Sequence, residues 1–224
     1  MSLTFRVVNT VVKGITRLIC RVDDEQLAKV PKRGPLILVC NHINFIEVPL
    51  VFTHLQPRPV TGYAKAESWD NPALGWLFDL WEGIPIRRGE ADTAALRQGL
   101  QILAEDKILT ITPEGTRSGD GRLRRGHQGV VMLAMRSGAP LLPVVYYGHD
   151  DYIQNLKRLH RSEFHFVVGR PFKLASPGVT AKSAVRQQMV DEIMYQLASL
   201  LPETYRGEYT DLSKATTQYL VFED

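Results

Sequence analysis

The spacing of apolar residues predicts that the chain begins with a helix and then alternates between strands and helices. Apolar residues between positions 8 and 22 recur every three or four positions, as on one face of a helix (Val8, Val11, Val12, Ile15, Leu18, Ile19 and Val22). Short apolar runs predict strands at 35–40, 60–64, 83–88, 107–112, 141–147 and 164–169. Segments with helical spacing predict helices at 48–55, 72–80, 91–105, 128–137 and 180–200. This alternation is typical of an α/β fold, with a largely parallel or mixed central sheet covered by helices.

The pattern divides the chain into an amphipathic helix at 1–22 and a single α/β domain at 23–224. Four basic residues lie among or opposite the apolar stripe before the first acidic residue (Arg6, Lys13, Arg17 and Arg21). A helix of this kind can lie in a membrane interface, where each nearby cation contributes roughly 1 kcal/mol with anionic lipid. It can equally dock on its own domain, and the pattern alone leaves both interpretations open.

Composition narrows the class of protein. The chain has 224 residues, of which 44% are hydrophobic and 23% charged, as in a globular domain. The net charge is only +3, so the molecule is not a polycation, and no aromatic interleaving supports nucleic-acid binding. No apolar run is long enough for a spanning helix, and Lys13 and Arg17 interrupt any signal peptide. Cys20, expected on a helix, and Cys40, at a strand end, should be reduced, which favours a cytoplasmic-type compartment.

The segment LILVCNHINFIEVPL, residues 36–50, contains the first candidate for chemistry, His42 with Glu47 five positions later. Such a pair is expected roughly 0.6 times by chance in this composition, so the pair alone is weak evidence. On a helix the two side chains would diverge, and on a strand they would lie on opposite faces. A bend is predicted because the apolar strand ends at Asn41 and Pro49 is tolerated in the first turn of a helix. The pair is therefore predicted at the sheet edge where α/β proteins place their sites.

Two further segments carry arginine at or just past the end of a predicted strand. GIPIRRG at 83–89 contains Arg87 and Arg88, and ITPEGTRSGDGRLRRG at 111–126 contains four arginines against one aspartate. Guanidinium groups bind phosphate through paired hydrogen bonds, so two such clusters at strand ends favour an anionic ligand. The chain has no nucleotide loop of the G-x-x-x-x-G-K type.

Four ordered segments resemble the glycerolipid acyltransferases of the lysophosphatidic acid acyltransferase type. The family's first block is Asn-His, four residues and Asp, and Asn41-His42 with Glu47 resembles it with Glu in place of Asp. GIPIRR resembles the second block and places Arg88 at its arginine, while TPEGTRS at 112–118 matches all but the first residue of the third. APLLPVVYYG at 139–148 resembles the fourth block.

The resemblance implies a glycerol-phosphate acyltransferase-like fold and transfer of an acyl group to the free hydroxyl of 1-acyl-glycerol-3-phosphate. The acyl donor would be acyl carrier protein or coenzyme A thioester, the product phosphatidic acid, and no metal or other cofactor is expected. The family also implies association with a membrane surface, here as a peripheral protein on the cytoplasmic face. This tilts the amphipathic segment toward the interfacial interpretation.

Under this resemblance His42 is the general base, since a histidine can take the hydroxyl proton and return it to the departing thiol. Glu47 would accept a hydrogen bond from the other ring nitrogen and stabilise the imidazolium, as the acid does in a Ser-His-Asp triad. Arg88 and Arg117 would hold the phosphate, with Lys65 as a weaker candidate. The loop Glu114, Gly115 and Thr116 would contribute to substrate binding, with Gly115 giving backbone access and Glu114 also able to brace the loop.

The glutamate departs from the family pattern. One methylene moves a carboxylate by about 1.5 Å, and errors of about 1 Å can cost 10²-fold in rate. Either the turn has adjusted, or the protein is a slow enzyme or an altered one. The open alternatives are a different lysolipid or alcohol acceptor, a non-catalytic lipid-binding relative, and a hydrolase in which water replaces the acceptor.

Overall fold

The computed structural model describes residues 2–87, 92–175 and 183–222, in which strands and helices alternate along most of the chain. The helices are α1 Leu3–Ile19, α2 Glu47–His54, α3 Pro72–Leu80, α4 Thr93–Ala104, α5 Gly129–Ser137, α6 Tyr152–Lys157 and α7 Ser183–Leu200. The strands are β1 Cys20–Asp23, β2 Leu36–Cys40, β3 Val60–Lys65, β4 Ile84–Ile86, β5 Ile108–Ile111, β6 Leu141–Tyr147, β7 Ser162–Val168, β8 Phe172–Leu174 and β9 Leu220–Phe222. Short 3-10 turns occupy Glu25–Lys29, Ala66–Asp70, Glu203–Tyr205, Gly207–Tyr209 and Leu212–Lys214.

The strands form one mixed sheet in the order β1-β7-β6-β2-β5-β3-β4, and β8 extends from β6 to β9. Strands β2 to β6 run parallel to one another, whereas β7 and β8 run antiparallel to β6. Strand β2 lies between β5 and β6, and all five of its residues are buried. The carboxyl ends of the five parallel strands therefore meet at one edge of the sheet, which in α/β folds is the edge that carries the site.

Helices cover both faces of the sheet and give three layers. Residues of α4, α5 and α7 form a core on one face (for example Leu103, Val131 and Ile193). Residues of α2, α3 and α1 pack on the other (for example Leu50, Phe78 and Ile19). The predicted α/β class with a mixed central sheet is confirmed, and an N-terminal helix is present.

Local sequence signals account for several helix boundaries. Asn71 caps α3 by accepting hydrogen bonds from the backbone of Ala73 and Leu74, and Pro72 occupies the first helical position. Ser2 caps α1 through a hydrogen bond from the Phe5 amide. These residues favour the non-helical conformation that a helix needs just before its first turn.

Most predicted elements agree with the structure to within a few residues, and two expectations need correction. The N-terminal helix ends at Ile19, because Cys20–Asp23 pairs in parallel with β7 and forms the edge strand β1. Cys20 therefore lies on a strand, and it and Cys40 are both buried without a disulfide. Near the end of the described residues, Leu220–Phe222 pairs with β8. Parts of the predicted segments 83–88, 91–105 and 180–200 lie outside the described residues.

Helix α1 turns two polar side chains inward and five apolar side chains outward. Asn9 and Thr16 are buried, and the Asn9 side chain accepts a hydrogen bond of 2.9 Å from the Trp81 indole. The exposed apolar residues follow a helical repeat (Leu3, Val7, Val11, Ile15 and Leu18, between 53% and 78% exposed). The apolar stripe predicted from the sequence is therefore split between two sides of α1, because Val12 and Ile19 pack against the core while Val11 and Leu18 face outward.

Among the helices of the described residues, none combines the length and apolar character needed to cross a membrane.

His54, the last residue of α2, allows a test of the packing between α1 and α2. Burial, followed by the charge of Lys13, lowers the pKa of His54 from 6.5 to about 4, although Asp24 partly opposes this. The folded protein then binds fewer protons than the unfolded chain between these values, so His54 lowers stability as the pH falls from 6.5 to 4. Over this range the unfolding free energy of wild type should therefore fall by up to about 3 kcal/mol more than that of His54→Gln, which lacks the titrating group.

The measurement is urea denaturation at several pH values between 4 and 7. His160→Gln is the matched control, because His160 is exposed. Parallel pH profiles for wild type and His54→Gln would contradict the prediction.

Candidate active site

The turn between β2 and α2 brings His42 and Glu47 together. The strand ends at Cys40 and the helix begins at Glu47, so residues 41–46 form the bend. Within it, Nδ1 of His42 lies 2.7 Å from Oε2 of Glu47. Asn41 fixes the start of the bend, because its side chain donates to the Tyr146 carbonyl at 2.9 Å and accepts from the Tyr146 amide at 3.0 Å. The pair thus meets despite a separation of five residues.

The carboxylate of Glu47 is fully enclosed and fully hydrogen bonded. Its side chain is 1% exposed, and Oε1 accepts hydrogen bonds from the amides of Ile43 at 2.7 Å and Asn44 at 2.9 Å. The same oxygen lies 2.8 Å from Nε2 of His149. Burial alone would raise the pKa of Glu47, but hydrogen bonds from His149 and His42 outweigh it and lower that pKa. Glu47 is therefore ionised at neutral pH.

His149 is a member of the site that the spacing of residues in the sequence did not indicate. It is completely buried and follows β6 by two residues, while Glu47 lies 102 positions earlier in the chain. Its position just beyond a buried strand, at the carboxyl edge of the sheet, was the available signal. Because β6 is the direct neighbour of β2, the residues after each strand lie side by side.

Glu114 joins two loops through backbone amides. Its Oε1 accepts from the His42 amide at 2.9 Å and its Oε2 accepts from the Arg124 amide at 2.9 Å. Burial raises the pKa of Glu114 to about 7, although these two hydrogen bonds oppose the rise. Both carboxylate oxygens are used to hold the protein's own backbone, so Glu114 braces the turn that carries His42.

The loop after Glu114 lies directly against the same turn. The Ser118 amide donates to the His42 carbonyl at 2.8 Å. Gly115 adopts φ +66°, a conformation that favours glycine, and an added Cβ would lie 3.2 Å from the His127 ring. The Gly115 amide donates to the Thr112 carbonyl at 3.0 Å. Gly115 therefore shapes the loop, and its own amide is engaged within the protein.

A cavity of about 570 Å³ opens beside this arrangement. Six of the predicted site residues line it (His42, Glu47, Lys65, Glu114, Gly115 and Thr116). Much of the remaining wall is apolar, with Val51, Phe52, Ile86 and Leu96 among its members. The cavity therefore combines a paired histidine with a surface that suits hydrocarbon.

The predicted cations are distributed unevenly around the cavity. Lys65 and Arg87 line its wall, and Lys65 also forms an ion pair with Glu67 at 3.1 Å. Arg117 is exposed and is not part of the wall, although its neighbour Ser118 is bonded to the His42 turn. Arg88 lies outside the described residues.

Residues 21–147, more than half of the chain, match the family model described as Acyltransferase. The chain belongs to this family. The matched region includes β2, the turn with His42 and Glu47, and the loop from Glu114 to Ser118. The resemblance seen in the four sequence segments is confirmed.

Individual relatives differ in the acceptor that their names state. A lyso-ornithine lipid O-acyltransferase of Pseudomonas aeruginosa is 30% identical over 58% of this chain and 55% of that protein. A 1-acyl-sn-glycerol-3-phosphate acyltransferase of Chlamydomonas reinhardtii is 27% identical over 82% of this chain and 53% of that protein. The chain thus spans about half the length of these curated relatives.

A solved structure shares the fold. The crystal structure of the 1-acyl-sn-glycerophosphate acyltransferase of Thermotoga maritima matches with a TM-score of 0.63 and 21% identity. The match covers 84% of this chain and 76% of that structure.

Proposed function

We propose that the protein transfers an acyl group from a thioester to the free hydroxyl of 1-acyl-glycerol-3-phosphate, which gives phosphatidic acid and a free thiol. The observation that carries this proposal is the 2.7 Å contact between His42 and ionised Glu47 at the wall of a largely apolar cavity. Membership in the Acyltransferase family supports the reaction class.

The proposed reaction uses His42 as the base. Because Nδ1 is bound to Glu47, Nε2 is the ring nitrogen left to accept a proton from the acceptor hydroxyl. The oxygen then attacks the thioester carbonyl, and a tetrahedral intermediate forms. When the carbon–sulfur bond breaks, the imidazolium returns its proton to the thiolate. Glu47 stabilises the imidazolium between these steps. Because the acceptor hydroxyl attacks the thioester directly, the chain itself needs no nucleophile.

The acceptor phosphate is proposed to bind among the cations near the cavity. Lys65 and Arg87 line the wall, and Arg117 lies on the loop that contacts the His42 turn. Arg88 belongs to the same proposed clamp through its position next to Arg87 in the sequence. The donor is a thioester of coenzyme A or of acyl carrier protein, since both present the same reacting group.

A second candidate acceptor is a lyso-ornithine lipid, which the name of the Pseudomonas aeruginosa relative favours. This acceptor also offers a free hydroxyl but has no phosphate. The exposed position of Arg117, away from the cavity wall, is compatible with it. An assay of the purified protein with both lysolipids and both kinds of thioester separates the two acceptors.

Membrane association through α1 is part of the proposal. The outward apolar stripe of α1 has exposed cations beside it, including Arg6 and Arg17, as expected for a helix in a lipid interface. At the carboxyl end of α1, the carbonyls of Arg17 and Cys20 each accept a hydrogen bond of 2.7 Å from the Arg161 side chain. This contact ties α1 to the segment after α6, where Leu159 is 93% exposed.

The strand order supports a membrane contact of α1 close to the cavity. Because Cys20 pairs with Ser162 at the start of β7, and β7 is antiparallel to β6, α1 ends at the edge where β6 ends. His149 lies at this same edge. A lipid surface against α1 would therefore be near the cavity, as a lipid acceptor requires. The protein is proposed to be peripheral on the cytoplasmic face, which suits its unpaired cysteines.

Replacing His42 tests the proposed base. We expect His42→Ala to lower kcat for acyl transfer by about 10² to 10⁴-fold, because the acceptor hydroxyl loses its proton acceptor. Transfer of a labelled acyl group to lysophosphatidic acid measures the effect, and circular dichroism checks folding. His160→Ala, at an exposed position, is the control, and normal turnover of His42→Ala would remove the assignment.

Two arginine variants test the proposed phosphate site. We expect Arg87→Ala and Arg117→Ala each to raise KM for lysophosphatidic acid about tenfold while KM for the acyl donor stays unchanged, because only the acceptor carries the bound phosphate. Steady-state kinetics with each substrate varied in turn supplies both constants. Arg136→Ala, exposed in the last turn of α5, controls for a general loss of positive charge. Equal changes in both KM values would argue against a phosphate clamp.

The exposed stripe of α1 can be changed without touching its buried face. We expect the triple variant Val11→Ser, Ile15→Ser and Leu18→Ser to lose binding to anionic vesicles, because these side chains supply the apolar contact with lipid. Vesicle flotation measures the bound fraction. The pair Met132→Ser and Met135→Ser removes exposed apolar surface from α5 and is the control. Unchanged flotation of the triple variant would contradict the proposal.

A further inference from the structure

Glu47 stands at the position of the aspartate in the family pattern that the sequence resembles, and its carboxylate contacts two histidines. We propose that His149 is a positioning residue, which holds the Glu47 carboxylate in the orientation that His42 requires. The inference rests on the proposed acyl transfer, in which Glu47 acts on the base. His149 itself contacts Glu47 and acts through it.

The geometry of the carboxylate supports this role. One oxygen, Oε2, lies 2.7 Å from His42, and the other, Oε1, lies 2.8 Å from His149. Since the two oxygens belong to one planar group, a rotation that released His149 would also move Oε2 away from His42. These two histidines on opposite oxygens act together with the backbone amides on Oε1 to restrict the terminal torsion of the glutamate, which otherwise rotates broadly.

The other nitrogen of His149 shows why packing alone does not account for a histidine here. Nδ1 is buried and has no hydrogen-bond partner among the described residues. An unpaired buried nitrogen destabilises a fold, and an apolar side chain of similar size would avoid this cost. Nε2 donates to Glu47, and this bond is the contribution of His149 that an apolar residue cannot make.

The surroundings of His149 hold it rigidly. The chain turns at Gly148, which has φ +92°. The His149 carbonyl then accepts hydrogen bonds from the Asn44 side chain and the Tyr152 amide, each at 3.2 Å. Its ring packs against Phe164 with the centroids 4.4 Å apart. The Nε2 donor of His149 is thus held in place by contacts other than Glu47, as a positioning residue requires.

Substitutions of His149 separate positioning from packing. We expect His149→Leu to lower kcat about 10 to 100-fold with both KM values within about twofold of wild type, because Oε1 of Glu47 loses its side-chain donor and keeps the amides of Ile43 and Asn44. Its stability should fall, because the buried carboxylate of Glu47 loses one of its donors. His149→Gln keeps an N–H donor and should recover most of kcat. His149→Met, flexible and without a donor, repeats the test if the leucine variant does not fold.

His54→Gln is the matched control, because His54 is also buried but does not line the cavity. It should retain wild-type kcat at neutral pH. Equal losses of kcat in the leucine and glutamine variants of His149, or wild-type kcat in the leucine variant, would overturn the proposal.

A spectroscopic signal tests the positioning without turnover. The Nδ1 proton of His42, hydrogen bonded to Glu47, should give a low-field proton resonance that His149→Gln keeps and His149→Leu shifts or broadens. An unchanged resonance in His149→Leu would overturn the proposal. If wild type transfers no acyl group to any acceptor, the proposed function fails, while this resonance still decides whether His149 positions the pair.

Discussion

The ionised carboxylate of Glu47 is the interaction on which the site depends. It lies at the first residue of α2 and accepts hydrogen bonds from two histidines and from two backbone amides of the turn before it. A buried charge is tolerated only when it is fully hydrogen bonded, so these donors and Glu47 require one another. The bend between β2 and α2, which any strand-to-helix connection at this point needs, is thereby also the arrangement that orients His42.

A second carboxylate, that of Glu114, stabilises the same bend from another segment of the chain. The amides of residues 43 and 44 are bound by Glu47, while the His42 amide is bound by Glu114 from the loop after β5. Three successive backbone donors are therefore satisfied by two acids from different segments of the chain. Because the Arg124 amide also bonds Glu114, the position of His42 is coupled to the arginine-rich loop. A substitution in that loop can therefore alter the position of His42 without contacting its imidazole ring.

Elements whose partners are close in the chain could be predicted from the sequence, and those that depend on distant partners could not. The bounds 72–80 of α3 and 141–147 of β6 follow from caps and local pattern, and the bend at His42 follows from a strand end and Pro49. By contrast, Cys20–Asp23 becomes a strand only because β7, about 140 residues later, pairs with it. His149 joins the site across 102 residues, which no spacing rule for neighbouring residues detects.

The orientation of α1 also lies beyond what its sequence pattern can decide. Apolar residues occur on two sides of this helix, and either side could in principle cover the core. The hydrogen bond between Asn9 and the Trp81 indole selects the side that faces the protein, because a polar side chain on that side finds a buried donor. The other apolar side is left outward as a continuous row from Leu3 to Leu18. Contiguous apolar surface exposed to water is unfavourable and marks an interaction surface, which is consistent with the proposed contact of α1 with lipid.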